Sequence, residues 1–180
     1  LKRLNINIIR PDINKCFADF SSDGKNFLYA LGAIKSVGYE AISKIVEERN
    51  KSGEFKNLTD FINRVNPKDI TKLQLEGLVK AGAFDKLNSN RQSLFNSIPN
   101  IILKSKNIFE NNSANQIDLF KEENDLTYLD TVEDWSVDVK LSKEFETLGF
   151  FISDHPLNQY KSLFNQYNII DYEEFNSNEN

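Results

Sequence analysis

The chain has 180 residues, and its content of 39% hydrophobic and 12% aromatic residues is sufficient for a folded core. One cysteine, Cys16, excludes an internal disulfide, and neither a signal-peptide-like start nor a long uncharged apolar run supports secretion or membrane spanning. The net charge of -5, taken over the whole chain, argues against nucleic-acid binding.

The charges are unevenly distributed. Residues 25–91 contain 12 Lys/Arg and 8 Asp/Glu, a balance of +4, whereas residues 107–147 contain 3 and 11, a balance of -8. The acidic residues therefore lie mainly outside the first of these segments. We expect a cytoplasmic protein with Cys16 in its core and, because the sequence starts at Leu1 without a methionine and stops in polar NSNEN, an excised part of a longer chain.

The N-terminal region has the pattern of a β-hairpin. Residues 6–34 contain the extended-looking runs INIIRPDI, CFADF and NFLYALGAI, and the turn signal Ser22, Asp23, Gly24 separates the last two. An Asp-Gly pair supplies the left-handed residues that a tight hairpin turn needs. A small antiparallel hairpin is therefore predicted before the helices.

The stretch LGAIKSVGYEAISKIVEERN, residues 31–50, predicts a short turn that leads into a helix of about Tyr39 to Lys51, ending at Gly53. Gly38 can adopt the positive φ of a tight reversal, and the amides after it are the unpaired donors of a helix N-terminus. Such a site favours an anion, here a backbone phosphate, with Lys35 and Lys44 adding positive charge. A simple packing turn between helices remains equally open at this point.

The following residues repeat this arrangement. NLTDFINRV predicts a helix capped by Asn57 or Thr59, and another helix starts at about Thr71 and runs into the turn KAGAFD, residues 80–85. A further helix is predicted from Ser89 or Asn90, with either a kinked continuation or a separate turn after Pro99. Two such hairpins in tandem could hold two phosphate strands without reading bases.

Residues 107–134 are rich in Asn, Asp and Glu and predict a flexible acidic linker. The cluster QIDLF within it could be a short linear motif that docks into a partner or a local staple that folds back on the domain. After the linker, Val139, Leu141, Phe145 and Leu148 predict a helix that ends at Gly149. His155 and Pro156 then predict the entry of a second helical stretch, since proline is favoured in the first turn of a helix. A metal-binding role for His155 is disfavoured, because no other His or Cys lies near it at ligand spacing.

No nucleotide-binding glycine loop, paired cysteine ligands or nucleophile with a partner histidine is present in the sequence. We therefore predict no catalytic residue, metal site or cofactor for this chain alone.

The stretches LGAIKSVGYEAISKIVEERN, KAGAFD, QIDLF and ETLGFFISDHPLNQY together resemble the alpha subunits of bacterial DNA polymerase III, the C-family replicative polymerases, over nearly the whole chain. The resemblance implies a mainly α fold, with a tandem helix-hairpin-helix domain preceded by a small β-hairpin and followed by a flexible acidic linker and short C-terminal helices. The implied divisions are the end of the fingers region (1–30), the tandem domain (31–106), the linker (107–134) and a helical approach to an OB-fold domain (135–180).

The resemblance also implies partners. Double-stranded DNA would be bound, without regard to sequence, at Lys35, Ser36, Val37, Gly38, Tyr39, Glu40, Lys44, Lys80, Ala81, Gly82 and Ala83. The β sliding clamp would be bound at Gln116, Ile117, Asp118, Leu119 and Phe120, which match the family's Q-x-x-L/M-F motif. DNA-directed DNA polymerase (nucleotidyltransferase) activity and Mg²⁺ would belong to other parts of the parent chain, together with contacts to further replicase subunits, because the catalytic aspartates of the palm have no counterpart here.

One part of the chain matches this family less well, and two alternative functions remain. KAGAFD matches a DNA-gripping turn less well, since it has one glycine and Asp85 adds negative charge, so it could be mainly structural. A helix-hairpin-helix protein-interaction scaffold without DNA binding is the main alternative. A glycosylase-type repair enzyme would need a catalytic Lys or Asp and a base pocket, and the sequence indicates neither.

Overall fold

The computed structural model describes residues 6–113 and 129–170, and this part of the chain is mainly helical with one small sheet at its start. The α-helices are α1 (Tyr39–Ser52), α2 (Leu58–Arg64), α3 (Lys72–Lys80), α4 (Arg91–Asn96), α5 (Ile98–Ser113), α6 (Val137–Leu148) and α7 (Lys161–Gln166). Two 3₁₀ turns, Leu31–Ala33 and Pro156–Tyr160, precede α1 and α7. The predicted mainly α fold is confirmed. Within the described ranges, no helix is both long and apolar enough to cross a membrane.

The sheet has three strands, β1 (Asn7–Ile9), β2 (Ser21–Ser22) and β3 (Asn26–Leu28), in the order β1-β3-β2. Strands β2 and β3 are antiparallel and form the predicted hairpin, with Gly24 at a φ of 90° in its turn. The Asp23 carboxylate accepts hydrogen bonds from the amides of Lys25 and Asn26 and so fixes that turn. Strand β1 adds to β3 in parallel, a pairing that the hairpin signal did not predict.

Local signals set the predicted helix ends. The Asn57 side chain accepts from the Asp60 amide at the start of α2, and Asn90 caps α4 in the same way. Thr71 and Gln74 form a reciprocal capping box at the start of α3. Gly53 and Gly149 follow the last residues of α1 and α6 with positive φ, as predicted.

The core lies between the helices and the loop that connects the sheet to α1. Its largest side chains below 2% exposure include Ile42 and Ile45 of α1, Leu78 of α3 and Leu94 of α4. Cys16 is fully buried, which confirms its predicted place in the core, and this burial raises the pKa of its thiol. Leu78 and Leu94 therefore pack α3 and α4, the helices on either side of the predicted second hairpin, into the same core as α1.

The predicted linker, 107–134, is wrong at both ends. Helix α5 continues to Ser113, with Pro99 in its first turn, where a missing amide hydrogen is tolerated. Residues 129–134 lie along α4, because the amide of Asp130 donates to Ser97 Oγ over 2.7 Å and the Asn90 side chain donates to the carbonyl of Val132. The predicted clamp motif, residues 116–120, lies outside the described residues.

Candidate nucleic-acid interface

The first hairpin, Lys35–Gly38, is anchored from within and open on its outer side. Ile34 and Val37 are 2% and 1% exposed and insert into the core, whereas Lys35, Ser36 and Gly38 are exposed. The amide of Val37 donates to the carbonyl of Ile34 over 3.0 Å, and its own carbonyl accepts from Gln74 Nε2 over 2.6 Å. The turn is therefore held rigidly while its outer residues face solvent.

Two residues of the first hairpin adopt positive φ. Ser36 has a φ of 68° and Gly38 a φ of 80° with a ψ of 157°. The space around Gly38 is open, since an added Cβ would meet no atom within 4 Å. Gly38 also gives α1 no side-chain cap, so the amides of the first turn remain available to an external acceptor. This arrangement suits a phosphate oxygen.

The charges near the first hairpin are mixed. Lys35 is exposed, and among the described residues it has no ion-pair partner. Lys44, one turn into α1, instead pairs with Asp69, and this hydrogen bond raises its pKa. Tyr39 and Glu40 in the first turn are exposed. Lys35 is thus the uncompensated cation at this site.

The second hairpin, Lys80–Ala83, is closed. Ala81, Gly82 and Ala83 are buried, and their amides donate to the carbonyls of the last turns of α3. Gly82 has a φ of 78°, but an added Cβ there would overlap the Arg91 guanidinium. No amide of Ala81–Ala83 is left for a phosphate.

Lys80 is also occupied. Its ammonium group lies 2.7 Å from Glu146 and 5.5 Å from the centroid of the Phe95 ring, and its side chain is 15% exposed. The pair with Glu146 lowers the pKa of that carboxyl. The predicted DNA-contacting residues are therefore not brought together on one open surface, because the second hairpin faces other parts of the protein.

Sequence reasoning noted Asp85 but missed Arg91 and Glu144, the other two side chains that close the second hairpin. Arg91, at the start of α4, donates to both oxygens of Asp85 over 2.8 and 2.6 Å and to Glu144 of α6 over 3.1 Å. Burial lowers the pKa of Arg91, but its hydrogen bonds and the charges of Asp85 and Glu144 outweigh that effect and raise it. Glu144 shares the buried face of α6 with Leu141 and Thr147, each three residues away, whereas the apolar Val139 and Phe145 of the same helix are exposed. The apolar pattern of α6 therefore gave no signal for Glu144.

Within residues 6–113 and 129–170, no three His, Cys, Asp or Glu side chains lie together in a way that could hold a metal ion. The described residues therefore do not fit the Mg²⁺ that the resemblance assigns to the parent chain. His155 caps the turn that follows it, because its Nδ1 accepts from the amide of Leu157 over 3.2 Å. The predicted helix-entry role of His155 is confirmed.

Comparison with known proteins identifies the architecture. The family model described as the helix-hairpin-helix motif matches residues 5–94. The chain is 38% identical to DNA polymerase III subunit alpha of Campylobacter jejuni over 96% of its length, 37% identical to that of Rickettsia prowazekii over 92% and 34% identical to that of Escherichia coli over 92%. It spans 15% of the length of each of these relatives.

Proposed function

Because the chain belongs to the helix-hairpin-helix family and matches a segment of DNA polymerase III alpha subunits, we propose that it binds the backbone of double-stranded DNA through its first hairpin. The binding is independent of sequence, since amides and a lysine contact phosphate rather than base edges. The DNA would be the primer-template duplex of a longer polymerase chain.

The open N-terminus of α1 is the observation that carries this proposal. Helix α1 has 14 residues, so its aligned peptide dipoles place partial positive charge at Gly38 and Tyr39. Ile34 and Val37 hold the turn in place before DNA arrives, which reduces the entropy lost on binding. Lys35 adds a full charge beside the free amides.

The two hairpins have different roles in this proposal. The first hairpin, with Tyr39, Glu40 and Lys44, forms the DNA contact, although Lys44 is also paired with Asp69. Lys80 and residues 81–83 were also predicted to contact DNA, although the weaker match of KAGAFD left a mainly structural role open. Their buried amides and the Lys80–Glu146 pair favour this supporting role. A contact to about two phosphates then predicts a slope of roughly -2 in a plot of log K against log salt.

A clamp-tethering role completes the proposal. Gln116 to Phe120 would occupy the binding pocket of a β sliding clamp, as the resemblance implies. A DNA contact joined to a clamp ring makes the second binding event effectively intramolecular, so a weak hairpin contact can still support processive synthesis. DNA synthesis itself, with Mg²⁺, would take place elsewhere in the longer chain.

A titration of the 180-residue chain with duplex DNA at several salt concentrations tests the hairpin contact. We expect Lys35→Ala to weaken binding and to reduce the salt slope by about 1, uniformly across DNA sequences. Lys106→Ala is the matched control, because Lys106 is an exposed lysine of α5 and loses the same charge. Equal effects of the two variants, or no binding at low salt, would refute the proposal and favour a protein-interaction scaffold.

A further inference from the structure

Glu144 is a buried carboxylate that the proposed DNA contact does not use. It lies on α6 with 0% exposure, and a buried carboxylate is costly unless its oxygens are paired. Both oxygens have partners. Oε1 accepts from Arg91, and Oε2 accepts from the amides of Ile152 and Ser153 over 3.4 and 3.1 Å.

These contacts join α6 to the second hairpin. Arg91 holds Asp85 with two hydrogen bonds and also donates to the carbonyl of Lys80 over 3.3 Å. Arg91 therefore links Glu144 of α6 to Asp85 and to the backbone of the second hairpin.

The same helix reaches the first hairpin one turn later. The amide of Lys35 donates to the carbonyl of Thr147 over 3.0 Å. Glu144 and Thr147 are three residues apart and so lie on one face of α6. Helix α6 thus bridges the closed second hairpin and the open first hairpin.

We propose that Glu144 is a positioning residue, held by Arg91, which fixes α6 so that Thr147 orients the backbone of Lys35 for phosphate. The inference rests on the proposed function, because it concerns the geometry of that DNA contact. Loss of the Glu144 charge leaves Arg91 with Asp85 and the Lys80 carbonyl and releases the C-terminal turn of α6. The Lys35 amide then loses its fixed acceptor.

The matched pair Glu144→Gln and Glu146→Gln tests this in the 180-residue chain. Both variants lose one negative charge from α6, but Glu146 is 48% exposed and pairs only with Lys80 and Lys143 among the described residues. Amide hydrogen exchange at Lys35 is measured without DNA, and the Val65 amide, which donates to the carbonyl of Phe61, serves as the internal reference. Duplex affinity and its salt slope are measured in parallel.

We expect the amide exchange rate at Lys35 to be about tenfold higher in Glu144→Gln than in Glu146→Gln, with the rate at Val65 unchanged. We also expect Glu144→Gln to weaken duplex binding by about tenfold without altering the salt slope. Equal exchange at Lys35 in the two variants, or an equal rise at Lys35 and Val65, would overturn the inference. If Glu144→Gln does not fold, Glu144→Asp keeps the charge and displaces it by one methylene, and the same two readouts apply.

The two proposals can fail separately. Absence of duplex binding by the unsubstituted chain would refute the proposed function, whereas the exchange result is obtained without DNA and reports on the Glu144 linkage alone. Normal duplex binding by Glu144→Gln with faster Lys35 exchange would refute the positioning role while leaving the hairpin contact in place.

Discussion

The amide of Lys35 and the carbonyl of Thr147 form a 3.0 Å hydrogen bond that ties the first hairpin to the last turn of α6. This contact orients the backbone of the hairpin while leaving the Lys35 side chain exposed. Because its inner side is fixed by this bond and its outer side is exposed, the hairpin can present the α1 amides to a phosphate without a further ordering step.

Gly38→Ala should reduce both stability and duplex affinity. Gly38 has a φ of 80° and a ψ of 157°, a conformation that residues with a Cβ strongly disfavour, so we expect a loss of about 1–3 kcal/mol of unfolding free energy. The hairpin would also shift away from its present geometry. Denaturant unfolding and DNA titration measure the two effects.

Gly53→Ala is the control for that substitution. Gly53 lies at the other end of α1 with a φ of 84° and a ψ of 175°, and an added Cβ meets no atom within 4 Å at either glycine. The two variants should therefore lose similar stability, but only Gly38→Ala should weaken DNA binding. Equal losses of affinity would contradict a role for the first hairpin in the contact.

Ser36→Gly should stabilise the protein. Ser36 has a φ of 68°, and relief of this left-handed conformation outweighs the extra flexibility of glycine in the unfolded chain by about 0.5–1 kcal/mol. The same change at Ser43, a half-buried position inside α1, should instead destabilise by roughly 0.5 kcal/mol. Thermal unfolding of both variants gives the signs, and a destabilised Ser36→Gly chain would contradict the prediction.

Features that depend on neighbouring residues could be predicted from the sequence. Gly53 and Gly149 end their helices, and Asn57 and Asn90 start theirs, because capping needs only the adjacent backbone. The local pattern left two interpretations of the first hairpin, an anion-binding turn and a packing turn, and its residues Lys35, Ser36 and Gly38 are exposed in the structure.

Features that depend on distant pairing could not be predicted in this way. The closure of the second hairpin requires Glu144, which lies 53 residues from Arg91 in the chain, and no local pattern links the two. The parallel strand β1 likewise meets β3 only through tertiary folding. The end of the linker was misassigned because Ser93 and Ser97 bind backbone groups of Asp130, a contact that the polar composition of the segment conceals.

The unfolding free energy of the protein should fall at acid pH, in part because of Asp134. Burial raises the pKa of Asp134, but hydrogen bonds from Lys140 and from the amide of Gln92 outweigh it, and the net pKa lies below the ordinary value of 3.8. A carboxyl whose pKa is lowered by folding adds stability above its unfolded value and loses it as pH falls through the folded value. The contribution should thus be complete at pH 7 and disappear below pH 3.8.

Asp134→Asn should therefore destabilise the protein at pH 7, and the difference from the unsubstituted chain should shrink as the pH falls below 3.8. Denaturant unfolding at a series of pH values measures this difference. The neighbouring Glu133→Gln removes the same charge from an exposed side chain and should show little change. A difference at Asp134 that stays constant with pH would contradict the assigned ion pair with Lys140.

Leu119→Ala combined with Phe120→Ala should abolish binding of a peptide of residues 107–130 to the β sliding clamp. These two apolar residues close the motif QIDLF, and anchors of this kind supply most of the energy of a short linear motif, so we expect a loss of about 100-fold or more. Asp118→Ala is the control, because the motif leaves that position unspecified, and it should bind nearly as well as the unchanged peptide. Fluorescence titration against the clamp measures all three peptides. Unchanged affinity of the double variant would refute the clamp-tethering part of the proposed function. The hairpin contact depends instead on Lys35 and the amides of α1, and the DNA titration tests it separately.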